Sequence, residues 1–165
     1  MKILGIDPGT GIVGFGVIEV KPGNKYHLLD AGVIKTPVNQ ELPERLETIY
    51  KELIDIIKLN NPEQISVEKL FFSQNVKTAI SVSHARGVVL LVAQQHNLII
   101  AEYTPQQIKQ ALTGYGKAKK DQVQAMVQTI LQLKNPIKQD DCADAIAAAI
   151  CHAMSIDNLN VASSL

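Results

Sequence analysis

The hydrophobic pattern at the start of the chain predicts three strands joined by short turns. Apolar and β-branched residues are concentrated in residues 2–7, 12–20 and 26–36. Turn-forming residues separate the runs, with Pro8-Gly9-Thr10-Gly11 after the first and Pro22-Gly23-Asn24 after the second. Successive strands with short turns between them favour an antiparallel meander.

Further along the chain, helical periods alternate with strand-like runs. Leu46, Ile49 and Leu53 recur at helical spacing, and Pro43 suits a first helical turn. The pattern predicts helices at residues 43–58, 76–96, 105–112, 119–133 and 141–156, and strands at 64–70 and 98–103. A meander followed by this alternation predicts an α/β fold with a mixed five-stranded sheet flanked by helices. We expect one domain of residues 1–156 and a short C-terminal tail of residues 157–165.

Composition is typical of a soluble globular protein. Hydrophobic residues make up 46% and charged residues 19%, and no apolar run approaches the roughly 20 residues of a membrane span. Asp7 comes too early for a secretion signal. Cys142 and Cys151 lie too far apart on one predicted helix to bridge each other. We interpret both as reduced core residues of a cytoplasmic protein.

Charge balance argues mildly against a nucleic-acid partner. Sixteen basic and sixteen acidic residues give a net charge of zero, whereas phosphate contacts usually require a basic excess. This objection weakens if several of the acidic residues are concentrated in a metal site, because the remaining surface is then basic.

Two acidic residues stand in apolar surroundings. Asp7 ends the first predicted strand just before the glycine-rich turn, where capping of that turn is an alternative role. Glu68 lies among Ile65, Val67 and Leu70 in a strand predicted to be buried. A buried glutamate is costly unless it is paired or coordinates a cation.

A second acidic pair begins the last predicted helix. Asp141 and Asp144 are three residues apart and therefore share a helix face, whereas Asp140 points about 100° away from Asp141. The alternative is an acidic first turn favoured by the helix dipole. If these two carboxylates converge with Asp7 and Glu68, the site suits two Mg²⁺ ions, with Mn²⁺ as a substitute.

Lysines and aromatic residues offer candidate DNA contacts. Lys109, Lys117 and Lys120 flank a loop that carries Tyr115, an arrangement suited to backbone contact and base stacking. A solvated helix face is the alternative for the lysines. Phe71 and its neighbour could form a core pair, but the polar residues that follow favour an exposed loop tip.

Five motifs in order over nearly the whole chain resemble the RuvC family of crossover-junction (Holliday junction) endodeoxyribonucleases, which have a ribonuclease H-like fold. They are Gly-Ile-Asp-Pro-Gly-Thr at 5–10, Val-Glu-Lys-Leu-Phe at 67–71, Ala-Arg-Gly at 85–87, Gly-Tyr-Gly-Lys at 114–117 and Asp-Cys-Ala-Asp-Ala at 141–145. The resemblance implies symmetric cleavage of two opposed strands that leaves ligatable nicks. It also implies a homodimer that works with the branch-migration proteins RuvA and RuvB.

The resemblance assigns a role to each matching residue. Four residues fall on the family's catalytic and metal-binding acids: Asp7, Glu68, Asp141 and Asp144. Phe71 matches an aromatic that stacks on bases near the junction centre. Lys109 and Lys120 match lysines that contact the DNA backbone near the scissile phosphate.

Two other functions compete with this one. The motif at residues 5–10 also resembles the phosphate loop of actin-like ATPases, although that fold needs two such domains. A non-catalytic junction-binding protein of the same fold is the second alternative.

The predicted helix at residues 76–96 is expected to help form the dimer interface. It carries apolar residues on more than one stripe, which suits a dimer interface. The alternative is a helix buried between the sheet and a neighbouring helix of the same chain. The two-fold symmetry of a four-way junction favours the dimer.

Overall fold

The structure is a computed structural model and describes residues 1–70 and 76–162. Within these residues the strands are β1 (Lys2–Asp7), β2 (Ile12–Lys21), β3 (Lys25–Lys35), β4 (Gln64–Glu68) and β5 (Ile99–Tyr103). They form one sheet in the order β3-β2-β1-β4-β5. β1, β2 and β3 are antiparallel, and β4 and β5 run parallel to β1. The predicted meander and mixed five-stranded sheet are confirmed.

Helices cover both faces of the sheet. They are α1 (Leu42–Asn60), α2 (Val76–Gln95), α3 (Pro105–Thr113), α4 (Lys120–Ile130) and α5 (Asp140–Ala162). α1 and α2 bury one face, where Leu53 and Val89 pack with Ile6 of β1. The other three helices bury the opposite face, where Ile146 of α5 packs with Ile3. Each face therefore has its own hydrophobic core.

Several predicted boundaries are wrong. The strand predicted for residues 64–70 ends at Glu68. The helix predicted for residues 119–133 ends at Ile130, and Gln132 follows in a left-handed conformation (φ 52°) that a helix does not continue through. The last helix begins at Asp140 and ends at Ala162 rather than spanning residues 141–156. No glycine or proline lies in residues 157–162 to end it, so they extend the helix.

Close contact between α5 and the sheet depends on small residues. Three glycines of β1 and β2 face this helix: Gly5, Gly14 and Gly16. A Cβ atom on Gly14 would overlap the carbonyl oxygen of Asp141, and one on Gly5 would overlap that of Ala145. Helix α5 carries a row of buried alanines. The first turn of α5 is therefore held directly against the carboxyl end of β1.

None of the described helices is long and apolar enough to cross a membrane. Both cysteines are free and buried, as expected of core residues. Burial raises the pKa of the Cys142 thiol to about 11 and that of Cys151 to about 12. Both thiols are therefore protonated at neutral pH, when they are poor nucleophiles and poor metal ligands.

Candidate active site

Asp7 and Glu68 lie side by side at the carboxyl ends of two neighbouring parallel strands. β1 and β4 pair in register, with Ile6 opposite Val67, so the next residues on each strand are Asp7 and Glu68. Side chains alternate between the faces of a strand. Ile6 and Val67 are buried in the core under α1 and α2, so both acidic side chains point to the α5 face.

The first turn of α5 brings the other two acids to the same end of the sheet. Asp7 pairs with Gly14 across β1 and β2, and Gly14 in turn abuts the backbone of Asp141. The Asp144 carboxylate accepts a hydrogen bond of 2.9 Å from the Lys120 ammonium of α4. The structure thus brings all four predicted acids into one region.

Burial and the closeness of these carboxylates shift the pKa values of Asp7 and Glu68. Burial, followed by the negative charges of Asp144 and Asp141, raises the pKa of Asp7 from 3.8 to about 7. Burial raises the pKa of Glu68 from 4.5 to about 7 as well, with further contributions from Asp7 and Asp144. Nearby lysines offset only part of this repulsion. The site therefore holds more negative charge than its own side chains neutralise, which favours binding of cations.

The donor set fits a hard divalent ion. Carboxylate oxygens are the ligands preferred by Mg²⁺ and Mn²⁺, and two of these carboxylates, Asp7 and Glu68, are half-buried among other negative charges. In the described part of the chain, no three His, Cys, Asp or Glu side chains already lie at the spacing that holds an ion.

Two of the predicted DNA-binding lysines lie at the acidic site, and one does not. Glu68, Lys109, Lys120 and Asp144 line a common cavity of about 220 Å³. The positive charges of Lys109 and Lys120 partly lower the pKa of Glu68, against the larger effect of burial. Lys117 instead lines a separate cleft of about 690 Å³ beside Tyr115. Phe71 lies outside the described residues.

Asp140 has a contact that its helical-wheel position did not predict. Lys120 Nζ lies 3.4 Å from Asp140 Oδ2, and Gln124 Nε2 donates to Asp140 Oδ1 at 3.0 Å. These contacts lower the pKa of Asp140, first through Gln124 and then through Lys120. Burial alone would lower the pKa of Lys120, but its bonds to Asp144 and Asp140 leave it raised, so the lysine is charged. A helical wheel compares the directions of residues within one helix. It therefore gives no information about a partner residue on α4.

The loop after Asp7 is tethered to both helices of the opposite face. Thr10 Oγ1 and Ser81 Oγ of α2 are 2.6 Å apart, and Thr36 Oγ1 donates to the Thr10 carbonyl at 2.5 Å. Arg45 Nε of α1 donates to Thr36 Oγ1 at 2.8 Å. Hydroxyl tethers of this kind leave no periodic signal in a sequence, and the sequence did not predict them. They fix the turn that begins one residue beyond Asp7.

Comparison with known proteins identifies the family of this chain. Residues 3–152 match the protein family described as Crossover junction endodeoxyribonuclease RuvC. A relative of that name from Alkaliphilus oremlandii (strain OhILAs) is 55% identical over 153 residues, which are 93% of this chain and 93% of the relative.

Solved structures give the same result. The structure of Thermus thermophilus RuvC superposes with a TM-score of 0.89 at 36% identity, covering 96% of each chain. A structure of T. thermophilus RuvC in complex with Holliday junction substrate gives a TM-score of 0.90 at 37% identity over 94% of each chain. The chain therefore belongs to the RuvC family of crossover junction endodeoxyribonucleases.

Proposed function

We propose that this protein resolves four-way DNA junctions by metal-dependent hydrolysis of two opposed phosphodiester bonds, leaving ligatable nicks. The observation that carries the proposal is the group of four acids at one end of the sheet. The pKa values of Asp7 and Glu68, both raised to about 7, reflect their burial and their crowding with neighbouring carboxylates. A relative of similar fold has been solved with a Holliday junction as its substrate.

The four acids would hold the metal ions, which we propose to be two Mg²⁺ per site with Mn²⁺ as a substitute. When bound, such ions supply the charge that activates a water and stabilises the leaving oxygen in phosphodiester hydrolysis. Asp7 and Glu68 must be ionised to bind a cation, so their raised pKa makes metal affinity fall below neutral pH.

DNA contacts are proposed from the positions of basic and aromatic residues. Lys109 and Lys120 line the acidic cavity and would attract the phosphate to be cut. Lys117 and the exposed ring of Tyr115 line the separate cleft, where a strand leaving the site could contact them. Phe71 is proposed, from the family resemblance alone, to stack on bases near the junction centre.

Cleavage of a synthetic four-way junction with Mg²⁺ and with EDTA tests the proposal. We expect paired nicks in opposed strands with Mg²⁺, sealed by DNA ligase, and no product with EDTA. A linear duplex with the sequence of one arm is the control and should remain intact. Junction binding without cleavage in either Mg²⁺ or Mn²⁺ would instead support a non-catalytic binding protein.

We further propose a homodimer built on the outer face of α2. Its inner face is buried on the sheet through residues such as Val89 and Val92. The opposite face carries Ile80 and Leu91, both 53% exposed, with Gly87 between them at helical spacing. A Cβ atom on Gly87 would meet nothing within 4 Å, so another backbone has room to approach there. Two-fold symmetry would place one active site on each of the two opposed strands.

Leu91→Lys is expected to weaken the dimer. A lysine at the centre of an apolar interface buries an unpaired charge, so the dimer dissociation constant should rise roughly tenfold or more. Size-exclusion chromatography with light scattering measures it. Leu59→Lys, at a position of α1 that is 78% exposed and outside this face, is the matched control. A wild-type mass near 18.0 kDa, both free and bound to a junction, would contradict the dimer.

Three further assignments complete the proposal. RuvA and RuvB are proposed as partners from the family resemblance. A cytoplasmic location is proposed because the chain keeps two free, buried cysteines. Residues 1–156 are proposed as a single nuclease domain, since the five described strands and the core of both faces lie within them.

A further inference from the structure

Lys120 occupies a position between two carboxylates of the first turn of α5. Its ammonium lies 2.9 Å from Asp144 Oδ2 and 3.4 Å from Asp140 Oδ2. The Asp144 side chain is 31% exposed and that of Asp140 is 65% exposed. The shorter bond is therefore made to the more enclosed carboxylate, the one that faces Glu68 and Lys109 in the cavity.

This contact competes with a metal ion for Asp144. One oxygen of a proposed ligand, Asp144 Oδ2, is already bonded to a cation. A divalent ion bound to Asp144 would repel the nearby ammonium and draw electron density from the carboxylate that holds it. Ion binding therefore weakens the Lys120–Asp144 bond, and the bond in turn opposes ion binding.

We propose that Lys120 is a resident cation that holds Asp144 until a divalent ion displaces it, and that Asp140 is the positioning residue that receives the displaced lysine. The inference rests on the metal site of the proposed function. In the metal-free protein the lysine offsets part of the repulsion among the acids. Once it is displaced, its ammonium is retained at the edge of the site, where it can contact a DNA phosphate.

Asp140 is already arranged for this role. Gln124 Nε2 donates to its Oδ1 at 3.0 Å, which leaves Oδ2 directed to Lys120. Both carboxylates lie within 4 Å of the same ammonium, so the lysine can leave Asp144 while it keeps one ion pair. Without Asp140, displacement would leave the lysine unpaired, and the ion would compete against a more firmly held Asp144 contact.

Titration of Mn²⁺ into the DNA-free full chain tests this inference without any cleavage assay. The concentration of free Mn²⁺ is measured by electron paramagnetic resonance, and binding is confirmed by calorimetry. The variants are Lys120→Gln, Lys120→Arg, Asp140→Asn and the double variant Lys120→Gln/Asp140→Asn. Lys119→Gln is the matched control, because it removes one positive charge at the adjacent position. Circular dichroism verifies that each protein is folded.

Lys120→Gln should lower the Mn²⁺ dissociation constant about fivefold. Loss of a competing surface ion pair can change a dissociation constant by up to about that factor. Lys119→Gln should change it by less than about twofold. Lys120→Arg, which keeps the cation, should stay within about twofold of wild type. Asp140→Asn should raise the constant about threefold when Lys120 is present and have a clearly smaller effect when residue 120 is glutamine.

Equal effects of Lys120→Gln and Lys119→Gln would overturn the resident-cation role, because general charge would then explain both. Additive effects of the substitutions at positions 120 and 140 would overturn the positioning role of Asp140. Failure of every variant and of the wild type to bind Mn²⁺ would overturn the metal site itself, and this inference with it. The first two results would leave the proposed nuclease function intact.

Discussion

Asp7→Asn is expected to abolish junction cleavage while raising the stability of the metal-free protein. The carboxylate is buried beside Asp144 and Asp141, and this environment raises its pKa to about 7. An amide of the same shape removes the repelled charge, which should stabilise the metal-free fold by about 2–4 kcal/mol at pH 8. Cleavage should fall by on the order of a thousandfold, since the proposed metal ions would lose a ligand and with it several kcal/mol of transition-state stabilisation.

The pKa shifts of Asp7 and Glu68 determine how the stability of the fold changes with pH. Asp7 and Glu68 have folded-state pKa values of about 7, above the values of 3.8 and 4.5 for the free groups. The folded protein therefore holds protons that the unfolded chain releases between these values. The stability contributed by these groups is fully present below about pH 4 and is lost as pH rises through about 7.

Thermal unfolding in EDTA between pH 5 and pH 8 measures this effect, and a junction gel-shift with Ca²⁺ measures binding. The stability gained by Asp7→Asn over wild type should be larger at pH 8 than at pH 5. Asp55→Asn, at an exposed position of α1, is the isosteric control and should change neither stability nor cleavage appreciably. Glu68→Gln, Asp141→Asn and Asp144→Asn should lose cleavage similarly and keep junction binding. A folded Asp7→Asn protein that cuts at the wild-type rate would refute the assignment.

Sequence periodicity was sufficient for the number and order of the described strands, and it placed Asp7 and Glu68 on two of them. Alternation fixes the face of a strand, and the ends of β1 and β4 fall at the motifs that contain Asp7 and Glu68. Local patterns could not show that α5 begins at these strand ends, because that depends on its contact with Gly14, far away in sequence. The family resemblance supplied this convergence.

Contacts between separate elements account for what the sequence did not predict. The geometry of a single helix turns Asp140 away from Asp141, yet Lys120 and Gln124 of another helix contact it. The ATP-binding alternative for residues 5–10 is not supported, since the match to the nuclease family spans residues 3–152. A short glycine-containing motif after a strand is shared by several folds, and only its wider context distinguishes them.

Gly14→Ala is expected to damage the active site without altering any of its side chains. Gly14 pairs with Asp7 across the sheet, and an added Cβ atom would overlap the carbonyl oxygen and carbon of Asp141. Both neighbours are backbone atoms, so the clash is relieved only if the first turn of α5 moves away from β2. Overpacking of this kind should lower the free energy of unfolding by about 1–3 kcal/mol.

Movement of that turn carries Asp141 and Asp144 away from Asp7 and Glu68. Because a displacement of about 1 Å at a catalytic group can slow a reaction on the order of a hundredfold, cleavage should fall much more than the amount of folded protein. Chemical denaturation and single-turnover cleavage on one preparation separate the two effects. Gly11→Ala in the same hairpin is the matched control, because its Cβ would meet the flexible end of Arg45 at 3.2 Å. Wild-type cleavage and stability in Gly14→Ala would show that contact between α5 and β2 does not set the positions of these acids.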